Sequence, residues 1–356
     1  MKKYQVLEVQ DENNTAGSKA TLDAAVIAEQ EGFETKKVLV LPPSTSFFSK
    51  LDKQIKYMRN WNQIYQSIED DSIVFLQNPF HFVQAGRKLF LSKLKKEKHG
   101  QVISLVHDVE ELRKFMFNSY YHNEFETMMR VADVLIVHNA RMKSFFVKKG
   151  FPKDHIVILG IFDYLTTCIS KRSSQDPFQR LMIAGNLNAK KSGYLSQLNR
   201  VKNVAIDLYG PNFNPEEIHG STIQYHGVVP SEKLPGLLPN GFGLVWDGSE
   251  IDTCAGDAGE YLHYNNPHKL SLFLAAGIPV VIWKEAAEAE FVLQNQVGYA
   301  VESLQEAADK ISECSQSDYD ELLLHVSQIQ KKLTTGYYLR NAMETAQFIL
   351  VKDREA

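Results

Sequence analysis

The chain has 356 residues, 44% of them apolar and 23% charged, a globular composition with room for two ordinary domains. A formal net charge of −4 without a long basic stripe argues against nucleic acid as the main partner. Three distant cysteines, Cys168, Cys254 and Cys314, lack the spacing of a zinc site or a disulfide framework, and no apolar run is long enough to span a bilayer.

The N-terminus, MKKYQVLEV, enters a strand pattern (Tyr4 to Gln10) with no signal-peptide core, so the expectation is a cytoplasmic protein. The loop formers Asn14, Gly17 and Ser18 follow, then an apolar-periodic helix through Leu22, Ala25, Val26 and Ala28. In an open parallel sheet a strand-to-helix turn is where ligands sit, although no G-x-G-x-x-G is present; taken alone, the residues favour a plain turn over a site. Strands are expected over 37–41, 72–76, 101–106, 134–137 and 156–159, with helices over 48–69, up to Gly100, over 125–132 and over 141–149. The basic run from Lys93 to Lys98 reads as a solvated helix end.

After the polar segment Ser170 to Asp176, a second alternating series begins. Its strands are expected over 180–184, 204–209, 222–225, 244–246, 280–283 and 298–301, its helices over 302–311, 319–333 and 337–351. Strands apolar from end to end are buried on both faces, so both sheets should be parallel and doubly wound. The expected organisation is an N-terminal Rossmann-like domain over 1–165, a linker over 166–178, a C-terminal Rossmann-like domain over 179–335 and a helix over 336–356 that packs back on the first domain. Facing loops of two such domains would form a ligand cleft.

The most informative stretch runs from Gly241 to Trp283. A buried strand ends at Asp247-Gly248, a polar segment follows, and Asn266-Pro267-His268-Lys269 then opens an apolar helix. Asn266 reads as the N-cap and Pro267 as the first helical residue, which leaves the N–H groups of His268, Lys269 and Leu270 free at the positive end of the helix. A lysine in that first turn is unfavourable for the helix alone and favourable beside a bound anion such as a diphosphate. A solvated lysine in a short loop is the plainer alternative.

Two such domains, with this helix start before Ala275-Ala276-Gly277-Ile278-Pro279, resemble GT-B glycosyltransferases. The chain more closely resembles the bacterial glucosyltransferases that extend O-linked GlcNAc on serine-rich repeat adhesins, a group also described as nucleotide-sugar synthetase-like or β-1,6-galactofuranosyltransferases. The motifs that carry this likeness are Asn14-Thr15-Ala16-Gly17-Ser18-Lys19, His107-Asp108, Gly160 to Leu165, Gly185-Asn186-Leu187 with Lys191-Ser192, Leu208-Tyr209-Gly210, Gly243 to Gly248, and Tyr264 to Lys269.

The resemblance implies transfer of a hexose, glucose before galactose or galactofuranose, from a UDP-sugar held by the C-terminal domain. It implies a saccharide acceptor, O-linked GlcNAc on an adhesin, on the N-terminal domain, with no metal, no further cofactor and a homo-tetramer. A non-catalytic partner of another transferase is the alternative from a different class.

The chemistry then assigns roles. Without a metal, cations and free N–H groups must take the diphosphate charge. Lys269 serves as the catalytic cation, with Asn266, Pro267 and His268 at its helix start and Asn186, Leu187 and Lys191 in the glycine-led loop. Lys190 is chemically equal to Lys191, and only the motif favours the latter. Thr15 and Gly17 would close over the phosphates, Gly17 by letting backbone approach. Tyr209 would face the uracil or pack in the core, and Asp247 would meet ribose or sugar hydroxyls or form a turn.

His107 and Asp108 are the candidates for handling the acceptor proton, Asp108 otherwise orienting the acceptor or capping a helix from Val109. Asn78 and Pro79 would line the acceptor side. Glu260 and His268 stand eight positions apart, where many retaining GT-B enzymes carry two glutamates; the pattern is broken, so Glu260 reads as a loop charge. His81 and His138 read as structural.

Overall fold

The structure, a computed structural model, describes residues 1–9, 16–42, 46–170, 173, 176–217 and 222–355. It divides into two compact units, one of Met1–Asn13, Ala24–Leu159 and Leu339–Ala356, the other of Asn14–Asp23 and Gly160–Tyr338. Among the described residues no helix is long and apolar enough to cross a membrane.

The first unit alternates β1 (Lys3–Val9), α1 (Ala16–Gln30), β2 (Glu34–Leu39), α2 (Phe47–Ser67), β3 (Ile73–Asn78), α3 (Arg87–Lys96), β4 (Gln101–Val106), α4 (Glu110–Arg113), α5 (Ser119–Val131), β5 (Val134–Val137), α6 (Ala140–Lys148) and β6 (Ile156–Ile158). Its six strands are parallel, in the order β2-β1-β3-β4-β5-β6. Every residue of β3 and β5 is buried, as the apolar runs Ile73–Leu76 and Val134–Val137 require, and β3 closes on two buried polar residues, Gln77 and Asn78. Polar side chains start the helices: Asn118 caps α5 through the N–H groups of Tyr120 and Tyr121, and Asn139 caps α6 through Met142.

The second unit contains β7 (Arg180–Ala184), β8 (Ala205–Tyr209), β9 (Ile223–Tyr225), α7 (Leu234–Leu237), β10 (Phe242–Val245), α8 (Gly256–Glu260), α9 (His268–Ala275), β11 (Val280–Trp283), α10 (Ala289–Gln294), β12 (Gly298–Val301), α11 (Leu304–Glu313) and α12 (Gln316–Leu333). Its strands are also parallel, in the order β12-β11-β10-β7-β8-β9. A capping box of Ser315 and Asp318 starts α12.

The last helix, α13 (Tyr337–Glu355), belongs from Leu339 onward to the first unit. Arg340 Nε donates to Glu31 Oε1 at 2.6 Å, and the Leu350 carbonyl accepts from Gln101 Nε2.

Three expectations need correction. Gly17 and Ser18 lie in the first turn of α1, not in a loop, because the apolar-periodic helix that follows extends back to Ala16. The polar segment after Gly248 contains α8, so Glu260 ends a short helix. α5 begins at Ser119, well before the expected Phe125, because Asn118 supplies the cap. Thr15, one of the candidate ligand residues, lies outside the described residues.

Candidate functional site

Where the strand order of an open sheet reverses, the loops leaving two neighbouring strands diverge and leave a crevice. In the second unit that point lies between β7 and β10. The loops that follow these two strands are joined there. Gly248 N donates to the Lys191 carbonyl at 2.9 Å, Ser192 bridges Gly248, and Tyr194 N donates back to the Gly248 carbonyl. Gly248 has φ +116, and a Cβ on it would stand 2.4 Å from the Ala255 carbonyl oxygen, so the turn needs a glycine.

Asp247 sits in this junction, buried, with a lysine on each carboxylate oxygen. Lys269 Nζ donates to Asp247 Oδ1 at 2.8 Å and to the Trp246 carbonyl at 2.7 Å, and Lys191 Nζ stands 3.8 Å from Asp247 Oδ2. Burial pulls the Lys269 ammonium below its ordinary pKa, and Asp247 pulls it back up. Asp247, expected to meet sugar hydroxyls or to form a turn, has one carboxylate oxygen near each of the two cations. Lys190 is exposed, while Lys191 reaches the carboxylate, so geometry separates two lysines that chemistry could not. Asn186 Oδ1 accepts from Asn188 N and from Asn212 Nδ2, and buried Leu187 donates its N–H to the Pro211 carbonyl, which fixes the loop that carries Lys191.

Helix α9 brings the other lysine. It lies against β10 because Gly243 has no side chain; a Cβ there would stand 2.0 Å from the Phe273 ring. The helix start differs from expectation by one residue. Pro267, extended at φ −72 and ψ 123, is the N-cap, and the Asn266 amide instead donates to the Gly160 carbonyl at 2.8 Å. Leu270 N donates to the Pro267 carbonyl, so among the described residues the unmatched donors of the turn are the N–H groups of His268 and Lys269.

The His268 ring stacks on Tyr164, centroids 5.1 Å apart, and its Nε2 is buried without a hydrogen-bond partner among the described residues. Burial first, and then the charge of Lys19, pushes its pKa down to about 4. Lys19 in turn lies over the Tyr164 ring, pairs with Asp23 and donates to the Leu165 carbonyl. The motif at Lys19 and the motif around Tyr164 are therefore one assembly behind the helix start, a link the sequence did not disclose.

Tyr209 ends β8, buried, with His226 stacked on its ring at 4.6 Å and 8°. Its hydroxyl pKa is raised to about 12 by burial. His226 is fixed by Asp207, which Arg180 also holds at 2.9 Å. One face of the Tyr209 ring thus carries an imidazole, and the His226–Asp207–Arg180 group was missed; His226 stands seventeen residues downstream of Tyr209, and the β8–β9 pairing brings the two together.

In the first unit the strand order reverses between β1 and β3. Asn78 ends β3, buried, with its amide on Ser104 Oγ and a cis bond to Pro79. His107 follows β4 with Nε2 2.6 Å from Gln77 Oε1. Asp108 is bound to Arg113 at 2.8 Å and does not cap a helix: α4 starts at Glu110 with Val109 as its N-cap. Asn78, Pro79 and Asp108 line one small pocket together with Glu110, Tyr121 and Glu124. His138 is buried on the Val106 carbonyl with its pKa lowered to about 4 by burial, as a structural histidine should be. His81 bonds to the Tyr121 hydroxyl, and burial lowers its pKa as well. Sequence reading overlooked Glu8, at the end of β1, whose carboxyl is raised to about 7 by burial against the opposing charge of Arg87.

Two family profiles match nearly the whole chain: residues 3–161 match the N-terminal domain, and residues 181–346 the C-terminal domain, of glucosyltransferase 3-like proteins. The chain belongs to the glucosyltransferase 3-like family. It is thus a glycosyltransferase with two parallel α/β sheets. Its sequence is 29% identical over 335 residues to the β-1,6-galactofuranosyltransferase WbbI of Escherichia coli K12, covering 92% of this chain and 93% of that one. It is 26% identical over 324 residues to glucosyltransferase 3 of Streptococcus gordonii, covering 90% and 92%. The fold is similar to that of the Anabaena protein HepE, solved in complex with UDP and glucose, with a TM-score of 0.58, 12% identity and coverage of 99% and 100%.

Proposed function

We propose that this glycosyltransferase moves a hexose from a UDP-sugar to a saccharide acceptor, and that the second unit holds the donor diphosphate at the junction of Lys191, Asp247 and Lys269. The supporting observation is that junction. Two ammonium groups share one carboxylate, which leaves a surplus positive charge beside the free N–H groups of His268 and Lys269. As the bond between sugar and diphosphate breaks, negative charge grows on the leaving oxygens, and fixed donors already aimed there lower the barrier. Asp247 holds the two lysines in place.

In this reading Asn186 and Leu187 shape the loop beneath the nucleotide, and the first unit takes the acceptor beside Asn78, Pro79, His107 and Asp108. The Arg113 pairing suits Asp108 to orienting a hydroxyl more than to removing its proton. The donor in this reading is glucose, in keeping with the name of the streptococcal relative, glucosyltransferase 3, and the acceptor is O-linked GlcNAc on an adhesin. A second reading, transfer of galactofuranose, is favoured by the higher identity to WbbI.

Incubation with UDP-glucose, UDP-galactose and UDP-galactofuranose in turn, each with a GlcNAc-bearing peptide and with free saccharides, separates the two by product mass. A glucosylated GlcNAc peptide is expected. Release of UDP from none of the donors would end the proposal.

A further inference from the structure

Helix α2 has two apolar faces, and only one of them is covered. Tyr57, Trp61 and Ile64, at a spacing of four and three, are buried in the first unit. On the other side Phe47, Phe48, Leu51 and Met58 are 75%, 80%, 51% and 50% exposed. The spacing places these four on one stripe, and Val83, 63% exposed, extends it: its carbonyl accepts from Gln54 of the same helix. Scattered exposed apolar residues need no explanation, but a contiguous patch led by two bare phenylalanines marks a surface that meets something.

The charge around the stripe says what. Helix α2 carries Lys50, Lys53, Lys56 and Arg59 against a single acid, Asp52, on a chain whose net charge is negative. Lys53 is spent on the Leu41 and Pro42 carbonyls, and Lys56 pairs with Asp52 at 2.6 Å from a largely exposed position. Lys50 and Arg59 stand exposed on the rim. A second copy of the chain, docked symmetrically, would set this basic rim against itself, which is repulsive. An acidic surface with an apolar layer beneath it complements both the rim and the rings.

We propose that this face of α2 docks on an anionic lipid surface, with Phe47 and Phe48 entering the headgroup layer and Lys50 and Arg59 meeting the lipid phosphates. The helix then lies in the plane of the interface, as a basic amphipathic helix does, and binding is reversible because few apolar side chains enter.

The test is sedimentation of the full-length protein with phosphatidylcholine vesicles, with and without phosphatidylglycerol, and analytical ultracentrifugation without lipid. The wild type is expected to pellet with the anionic vesicles, less so as salt is added, and not with phosphatidylcholine alone. Phe47→Ser with Phe48→Ser should weaken that partition about tenfold or more, and Lys50→Glu or Arg59→Glu about fivefold each. All four positions are exposed, so these variants should fold and keep their sedimentation coefficient. No binding of the wild type to anionic vesicles would overturn the proposal. So would binding that survives the phenylalanine substitutions, or a change of oligomeric state in those variants without lipid binding in the parent.

Discussion

Lys269 and Asp247 form a buried ion pair, 2.8 Å between Nζ and Oδ1, in which the lysine is 12% and the aspartate 3% exposed at the side chain. The second lysine, Lys191, is 38% exposed on the other oxygen. The pair therefore carries stability and, in the proposed reading, catalysis as well, and substitutions can separate the two.

Asp247→Asn leaves Lys269 buried without its counter-charge. The expected loss of stability is about 3–5 kcal/mol, measured by urea denaturation. Asp247 holds the Lys269 pKa up against burial, so its removal lets that pKa fall further. The lysine then loses its proton at a lower pH, and the alkaline limb of the turnover profile should move toward neutral. A limb that stays in place would remove Lys269 from the rate.

Lys191→Ala and Lys190→Ala make a matched pair. The first should weaken UDP binding by about tenfold while changing stability by no more than about 1 kcal/mol, since the Lys191 ammonium is partly solvated, stands 3.8 Å from the carboxylate, and leaves Asp247 paired with Lys269 when removed. The second should change neither. Titration calorimetry with UDP reads the difference, and equal effects would show that the loop, not the single ammonium, matters. Lys269→Ala should cut turnover by about 100-fold or more.

Glu8 predicts a slope in stability with pH. Its folded pKa of about 7 lies above the ordinary 4.5, so between those values the folded protein keeps a proton that the unfolded chain releases. Stability from this group is greatest below pH 4.5, declines as pH rises toward 7 and is level above. Glu8→Gln should remove that decline, visible as a difference between the two unfolding curves at pH 5 and pH 7.5. The Gln84 amide, which donates to Glu8 in the wild type, can still meet the new carboxamide oxygen.

Gly243→Ala drives a methyl into the Phe273 ring. Overpacking of this kind costs about 1–3 kcal/mol. Since the same contact sets the distance of α9 from β10, UDP affinity should fall along with the melting temperature, and thermal shift with and without UDP would detect both.

Asp108→Asn tests the acceptor side. If Asp108 orients a hydroxyl, the acceptor KM should rise with a smaller change in kcat. A kcat loss of about 100-fold or more at unchanged KM would instead make it the proton acceptor.

Much of this architecture could be read from the chain. The strands at 101–106, 134–137, 180–184, 280–283 and 298–301 coincide with expectation because each is a predominantly apolar run bounded by polar or turn-forming residues. What could not be read was pairing at a distance. Asp247 looks like a turn aspartate until two lysines close on it, one from a loop more than fifty residues earlier. Asn266 has the composition of a cap, but the Gly160 carbonyl, 106 residues away, claims its amide. Tyr209 looks like an open platform until β9 places His226 on it. Local pattern fixes elements; side-chain partners are chosen by the sheet order, which brings together segments far apart in the chain.

The second unit takes ten residues, Asn14–Asp23, from the beginning of the chain and the rest from beyond Gly160. The Lys19 ammonium must wait for a carbonyl made 146 residues later. A ribosome therefore releases the opening helix long before its partners exist, and a fragment starting at Gly160 would emerge with the back of its His268–Tyr164 stack bare. Dissecting this enzyme at the obvious midpoint would not give two working halves; a permuted gene that joins the opening segment to the later one is the better way to obtain the second unit by itself.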